Sequence, residues 1–184
     1  MLDKIITQKD NKTTIVILGY MFTGKTTMGK SLAKRLNYDF FDTDAEIEKA
    51  YHYTVEDIFR KFGEQVFRNM EKKALETLLK KDNVVIACGG GTPCFFDNMQ
   101  EIKQNAISIY LKMDTGQIMS RYQKSKARRP LLMNKTNDEV REYIDKSLEE
   151  RQPYYTQADI VVDAFDLTPQ RLETELANFL NNTK

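Results

Sequence analysis

A glycine-rich turn ending in lysine and threonine, Gly19-Tyr20-Met21-Phe22-Thr23-Gly24-Lys25-Thr26, fits the pattern G-x-x-x-x-G-K-[ST]. These residue types at this spacing suit a polyphosphate. Glycines let the backbone curl so that successive N–H groups face the phosphates, and the start of a helix adds its partial positive charge. Lys25 would reach the β- and γ-phosphates as a point charge, while the Thr26 hydroxyl would ligate Mg²⁺. An ordinary turn with a solvated lysine is the plainer reading. The apolar run Ile15–Leu18 directly before the turn and the helical pattern directly after it favour a nucleoside triphosphate site. Asn134-Lys135-Thr136-Asn137 approaches the Asn-Lys-x-Asp of guanine-specific proteins but ends on Asn within a polar stretch, so it reads as surface loop and the nucleotide as ATP.

Other clusters could serve a second substrate. Asp42-Thr43-Asp44 ends an expected strand, where alternation would put both carboxylates on one side, one for the water shell of Mg²⁺ and one to accept a proton. Asp44 would equally cap a following helix. Arg68 and Glu71, at i and i+3, can pair on a helix face, as many solvated pairs do. Gly89-Gly90-Gly91 permits close backbone approach to a ligand, or is a flexible turn. Arg121 to Arg129 holds five positive charges and no acid. That run reads as a solvated loop, a nucleic-acid patch or a lid supplying arginine to a transferring phosphoryl group; with Tyr122 its only aromatic, base stacking is poorly served. Arg151 precedes Pro153, where a helix is expected to end, and is placed to meet a carboxylate.

The elements needed to position these residues alternate in type. Strands are expected at Thr14–Leu18, Asp39–Thr43, Val84–Cys88, Ile107–Leu111 and Ile160–Asp163, and helices at Lys25–Leu36, Ala45–Ala50, Val55–Phe62, Glu64–Lys80, Thr115–Lys124, Asp138–Arg151 and Pro169–Leu180. Strands alternating with amphipathic segments predict βαβ units and an α/β fold with a parallel sheet covered on both faces. Phe59, Phe62 and Phe67 read as core, and Leu172, Leu176, Phe179 and Leu180 recur at helical spacing.

The 184 residues suit one domain, 1–184, and their near-balance of 28 basic and 27 acidic side chains removes the general basic field that would draw the chain to nucleic acid or anionic lipid. Cys88 and Cys94 are too few for a disulfide framework and lack zinc-site spacing, so reduced thiols are expected. The longest apolar stretch, Ile15–Phe22, falls far short of the ~20 residues that span a bilayer. Asp3 precedes any apolar run, which argues against a signal peptide and makes the cytoplasm the expected compartment.

In combination, the loop at 19–27, Asp42-Thr43-Asp44, Phe67-Arg68 with Glu71, Gly89-Gly90-Gly91, Arg129-Pro130-Leu131-Leu132 and Arg151-x-Pro153-x-Tyr155 resemble the shikimate kinases, over essentially the whole chain. The resemblance implies a three-layer P-loop kinase fold: a five-stranded parallel sheet of order 2-3-1-4-5 flanked by helices, a helical substrate-binding segment at about 44–80 and a mobile lid at about 121–135. It implies ATP-dependent, Mg²⁺-requiring phosphorylation of the shikimate 3-hydroxyl by a monomer. Gluconate or nucleoside monophosphate kinases, and a non-catalytic nucleotide-binding regulator, are the competing readings.

Residue by residue, the resemblance implies that Arg68 and Arg151 clamp the shikimate carboxylate, with Glu71 orienting Arg68. Asp44 would hold ring hydroxyls and act as base, with Gly89, Gly90 and Gly91 lining the substrate. Gly19, Phe22, Thr23, Gly24, Lys25, Thr26 and Thr27 would bind ATP, Arg121 would stack on adenine near Leu167-Thr168-Pro169, and Lys25 and Arg129 would stabilise the transferring group. Thr26 would hold Mg²⁺ directly and Asp42 through water. One departure stands out: Phe22 replaces the glycine usual in the middle of the family's loop. Phe there is set to shift the loop or to take a φ it disfavours, which bears on nucleotide affinity.

Overall fold

The computed structural model describes residues 14–125, 132 and 135–182. Five parallel strands, β1 (Thr14–Leu18), β2 (Asp39–Asp42), β3 (Val84–Ala87), β4 (Ile107–Lys112) and β5 (Ile160–Asp163), lie in the order β2-β3-β1-β4-β5. Between them run helices α1 (Lys25–Leu36), α2 (Thr43–Tyr51), α3 (Val55–Leu78), α4 (Asn98–Asn105), α5 (Thr115–Lys124), α6 (Asn137–Tyr155) and α7 (Pro169–Asn182). The expected α/β architecture and strand order are both present.

Strand composition explains the order. β1 and β3 are apolar or buried at every position, as strands covered on both faces must be. At one edge, β2 carries Asp39 and Asp42; at the other, β5 alternates buried and exposed residues. Ile15, Ile17, Val85, Ile109 and Leu111 point to one face, where they meet Leu32 of α1, Ile118 of α5, Ile144 of α6 and Leu172 and Leu176 of α7. Val16, Leu18, Val84, Ile86 and Tyr110 point to the other, against Leu75 and Leu78 of α3 and Met99 and Ile102 of α4. A small separate core of Ile47, Ile58 and Phe67 joins α2 to α3.

Several boundaries differ from those expected. β2 stops at Asp42 instead of Thr43 because the Asp42 carboxylate turns to cap α2, accepting from the Asp44 N–H at 3.1 Å. The cap is therefore Asp42 and not Asp44. The expected pause between Phe62 and Glu64 is a kink inside α3, where Gly63 takes φ +80°. Phe62 beside it is 46% exposed and edge-on to Tyr53, so it does not join the core. α6 runs through Pro153 to Tyr155, since a proline in the last turn forgoes a single backbone bond. α4 has no counterpart in the expected set: its short run buries only Asn98, Met99 and Ile102, too little to write a stripe. Among the described residues no helix is long and apolar enough to cross a membrane, and Cys88 and Cys94 are free thiols.

Candidate active site

Parallel register gathers the site. Ile17 pairs with Ala87, and Ala87 with Asp42, so β1, β3 and β2 end at one level. The three segments leaving that edge are the phosphate loop, Gly89–Gly91 and Asp42–Asp44. Ligands of open α/β sheets lie at such a carboxyl edge.

The loop is built by its own hydrogen bonds. The Tyr20 carbonyl accepts from Thr23 Oγ1 and from Lys25 Nζ, both at 2.8 Å. Gly19 has φ +148°, and a Cβ there would stand 2.8 Å from Thr23 Oγ1 and 2.9 Å from the Leu111 carbonyl, so only glycine fits. Gly24, at φ +91°, opens α1, whose exposed first turn carries Thr26 and Thr27. Thr26 Oγ1 donates to Asp42 Oδ2 at 2.8 Å. Phe22 adopts φ +66°, the left-handed region, which costs a residue with a Cβ about 1–2 kcal/mol. The departure noted in the sequence thus appears as a backbone conformation that glycine would take without penalty.

Beside the loop, two arginines and two carboxylates converge on the three glycines. Arg68, almost fully buried, donates from Nη1 to Glu71 Oε2 and from Nη2 to Glu64 Oε1 at 2.8 Å. Its guanidinium carbon sits 4.1 Å from the centroid of the Phe95 ring, a stacking distance that holds the plane of the fork. Glu71, also buried, accepts from the Thr92 hydroxyl at 2.6 Å. A Cβ on Gly89 would lie 2.5 Å from Glu71 Oε1 and 2.9 Å from Asp44 Oδ1; one on Gly91 would lie 2.7 Å from Arg68 Nη1. One on Gly90 would lie 3.3 Å from Arg151 Nη1 and 3.5 Å from the Gly19 carbonyl. Arg151 also packs over the Tyr20 ring at 5.2 Å. Asp44 reaches this corner from the first turn of α2, not from a strand as the alternation argument had it.

Burial sets the protonation of the neighbours. It raises the phenols of Tyr20 and Tyr155 above the ordinary tyrosine range and pushes the Cys94 thiol up to about 11. These groups are therefore neutral near pH 7.

The remaining expected residues fall elsewhere or beyond view. Arg121 closes α5 with its guanidinium spent on backbone: Nη1 donates to the carbonyls of Phe22 (3.2 Å) and Thr23 (3.0 Å), Nη2 to those of Ala164 (2.7 Å) and Phe165 (2.8 Å). Arg129 and most of the expected lid at 121–135 lie outside the described residues. Sequence reasoning passed over Glu64, Thr92, Phe95 and the Thr43 hydroxyl, which accepts from the Gly89 N–H at 2.9 Å. Glu64 was findable, four residues before Arg68 on the same helix face; the others meet the site only through the fold.

Comparison with known proteins bears on the family and the fold. The family model described as shikimate kinase matches residues 21–181. A shikimate kinase of Parabacteroides distasonis is 39% identical over 166 residues, covering 90% of this chain and 96% of that protein. The crystal structure of shikimate kinase from Bacteroides thetaiotaomicron superposes with a TM-score of 0.84 at 36% identity, covering 93% of this chain and 98% of that one. Shikimate kinase from Acinetobacter baumannii, solved in complex with shikimate, gives 0.81 at 31% identity over 96% and 98%. A glycine-rich loop ending in lysine and threonine, a hydroxyl–carboxylate pair beside it and two arginines facing three glycines, in a matching sheet and a matching sequence, have one common explanation: the chain belongs to the shikimate kinase family.

Proposed function

We propose that this protein transfers the γ-phosphoryl group of ATP to the 3-hydroxyl of shikimate, giving shikimate 3-phosphate and ADP. The observation that carries the reading is the position of Gly90: a side chain there would lie 3.3 Å from Arg151 Nη1 and 3.5 Å from the Gly19 carbonyl, so the arginine corner and the phosphate loop share one wall. An anionic acceptor held by the arginines would thus adjoin the end of a triphosphate. Two guanidinium forks suit a carboxylate better than they suit a neutral sugar.

In this reading Arg68 and Arg151 hold the substrate carboxylate, with Glu71 and the Phe95 ring fixing the plane of Arg68. Lys25 releases the Tyr20 carbonyl to meet the β- and γ-phosphates. As the acceptor oxygen bonds to phosphorus and the bond to the ADP oxygen breaks, the hydroxyl proton passes to a carboxylate. Asp44 fits that part, since Tyr20, Tyr155 and Cys94 are held neutral by burial. Arg129, outside the described residues, would act on the transferring group as the resemblance implies.

Thr26 and Asp42 fit a magnesium ion: a hydroxyl and a carboxylate already 2.8 Å apart at the loop, both hard oxygen donors, with substrate phosphates left to complete the shell. Bound there, Mg²⁺ would offset the charge on the phosphate oxygens. The test is release of ADP on adding shikimate to folded protein with ATP and Mg²⁺. Absence of shikimate-dependent ADP overturns the reading.

A further inference from the structure

Adjacent residues at the end of α5 grip Phe22 from two sides. Arg121 takes its carbonyl, and that of Thr23, on Nη1. Tyr122 takes its ring edge-on, with centroids 5.8 Å apart and planes at 63°. The same Arg121 fastens this end of the helix to the carbonyls of Ala164 and Phe165 after β5, so the grip is anchored to the sheet. Phe22 is the residue whose backbone stands at φ +66° in the loop. A Cβ resists that conformation, and glycine does not.

We propose that Tyr122 is a positioning residue for nucleotide binding: its contact with the Phe22 ring holds the phosphate loop in its left-handed turn, and Arg121 orients the two carbonyls away from the phosphates. This rests on the reading that nucleotide phosphates occupy the loop, and it goes beyond that reading by making the loop's geometry depend on a side chain outside it. The dependence is conditional. With glycine at position 22 the turn needs no external support, and the ring of Tyr122 has nothing left to hold.

The test is a double-mutant cycle on the full chain, reading ADP affinity and the KM values for ATP and shikimate in wild type, Tyr122→Ala, Phe22→Gly and the double variant. Tyr122→Ala should weaken ADP binding and raise the KM for ATP about five- to tenfold, the scale of an edge-to-face pair, while the KM for shikimate stays within about twofold. In the Phe22→Gly background the same substitution should change ADP affinity by less than about twofold. Tyr122→Phe, which keeps the ring, should behave as wild type. Equal losses in both backgrounds, no loss in either, or a matching rise in the KM for shikimate would overturn the proposal. Should Tyr122→Ala fold poorly, Tyr122→Leu takes its place under the same criteria. Failure of the wild-type protein to bind ADP would overturn the functional reading itself, whereas binding with additive losses would overturn this inference alone.

Discussion

Thr26 donates its hydroxyl to one oxygen of Asp42 at 2.8 Å, while the other oxygen of that carboxylate caps α2 by accepting from the Asp44 N–H at 3.1 Å. A single side chain therefore joins the start of α1, at the end of the glycine-rich loop, to the start of the helix that carries Asp44. The charge of Asp42 and its capping oxygen can be separated by substitution.

Asp42→Asn keeps an oxygen for the cap and removes the charge. The Mg²⁺ concentration for half-maximal rate should rise about tenfold or more, with little change in melting temperature. Asp42→Ala should additionally lose about 1 kcal/mol of stability with the cap. An unchanged Mg²⁺ requirement in Asp42→Asn would remove Asp42 from the metal.

Arg68→Ala should raise the KM for shikimate at least about thirtyfold and leave that for ATP nearly unchanged. It also strands the buried Glu71, so a stability loss of about 3 kcal/mol is expected. Arg68→Lys separates the two effects, keeping the charge while losing the planar fork; its KM for shikimate should still rise. Wild-type constants in Arg68→Lys would argue against a bidentate clamp.

Glu64 holds Nε of Arg68 at 3.1 Å and Nη2 at 2.8 Å, and its side chain is 57% exposed. In the proposed function a substrate carboxylate would compete with it for the same guanidinium. Glu64→Gln should lower the KM for shikimate about two- to fivefold, the modest scale of a partly exposed pair. A higher KM would make Glu64 a support for Arg68 and not a competitor.

Gly89→Ala would drive a methyl to 2.5 Å from Glu71 Oε1 and 2.9 Å from Asp44 Oδ1, displacing both carboxylates. A fall in kcat on the order of a hundredfold is expected, as misplacement near the reacting groups commonly produces. ADP affinity should hold, since the phosphate loop is built by other residues. Activity within twofold of wild type would mean that neither carboxylate's position matters.

Cys94, with its thiol pushed up to about 11 by burial, is almost wholly protonated at pH 8. Alkylation by iodoacetamide should run on the order of a hundredfold slower than for free cysteine, and should still be climbing with pH as it nears about 11. Rapid labelling of the folded protein at pH 8, mapped to Cys94 by mass spectrometry, would contradict the burial.

Much of this was legible before any coordinates. The phosphate loop is a local object, written in consecutive residues between a strand and a helix, and the apolar runs of β1 and β3 mark fully covered strands. Arg68 with Glu71 was visible as helical spacing. Asp42 and Asp44 were legible as residues but not as geometry, because the strand yields to a helix between them and the alternation that would align them stops. Thr92 and Phe95 carry no signal in sequence. They gain their parts only when the turn after β3 folds back over α3, a contact between segments more than twenty residues apart.

Tyr155 donates its hydroxyl to the Gly90 carbonyl and stacks on Tyr110 of β4, with ring centroids 4.9 Å apart. It stands one helical turn beyond Arg151 on α6, and both side chains arrive at the same glycine. The arginine that would receive the acid and the hydroxyl that anchors the Gly90 peptide behind it therefore share one helix. A tilt of α6 would move Arg151 and the hydroxyl that anchors Gly90 together, while Arg68, fixed on α3, would stay behind, so the spacing of α6 and α3 sets the separation of the two guanidinium groups.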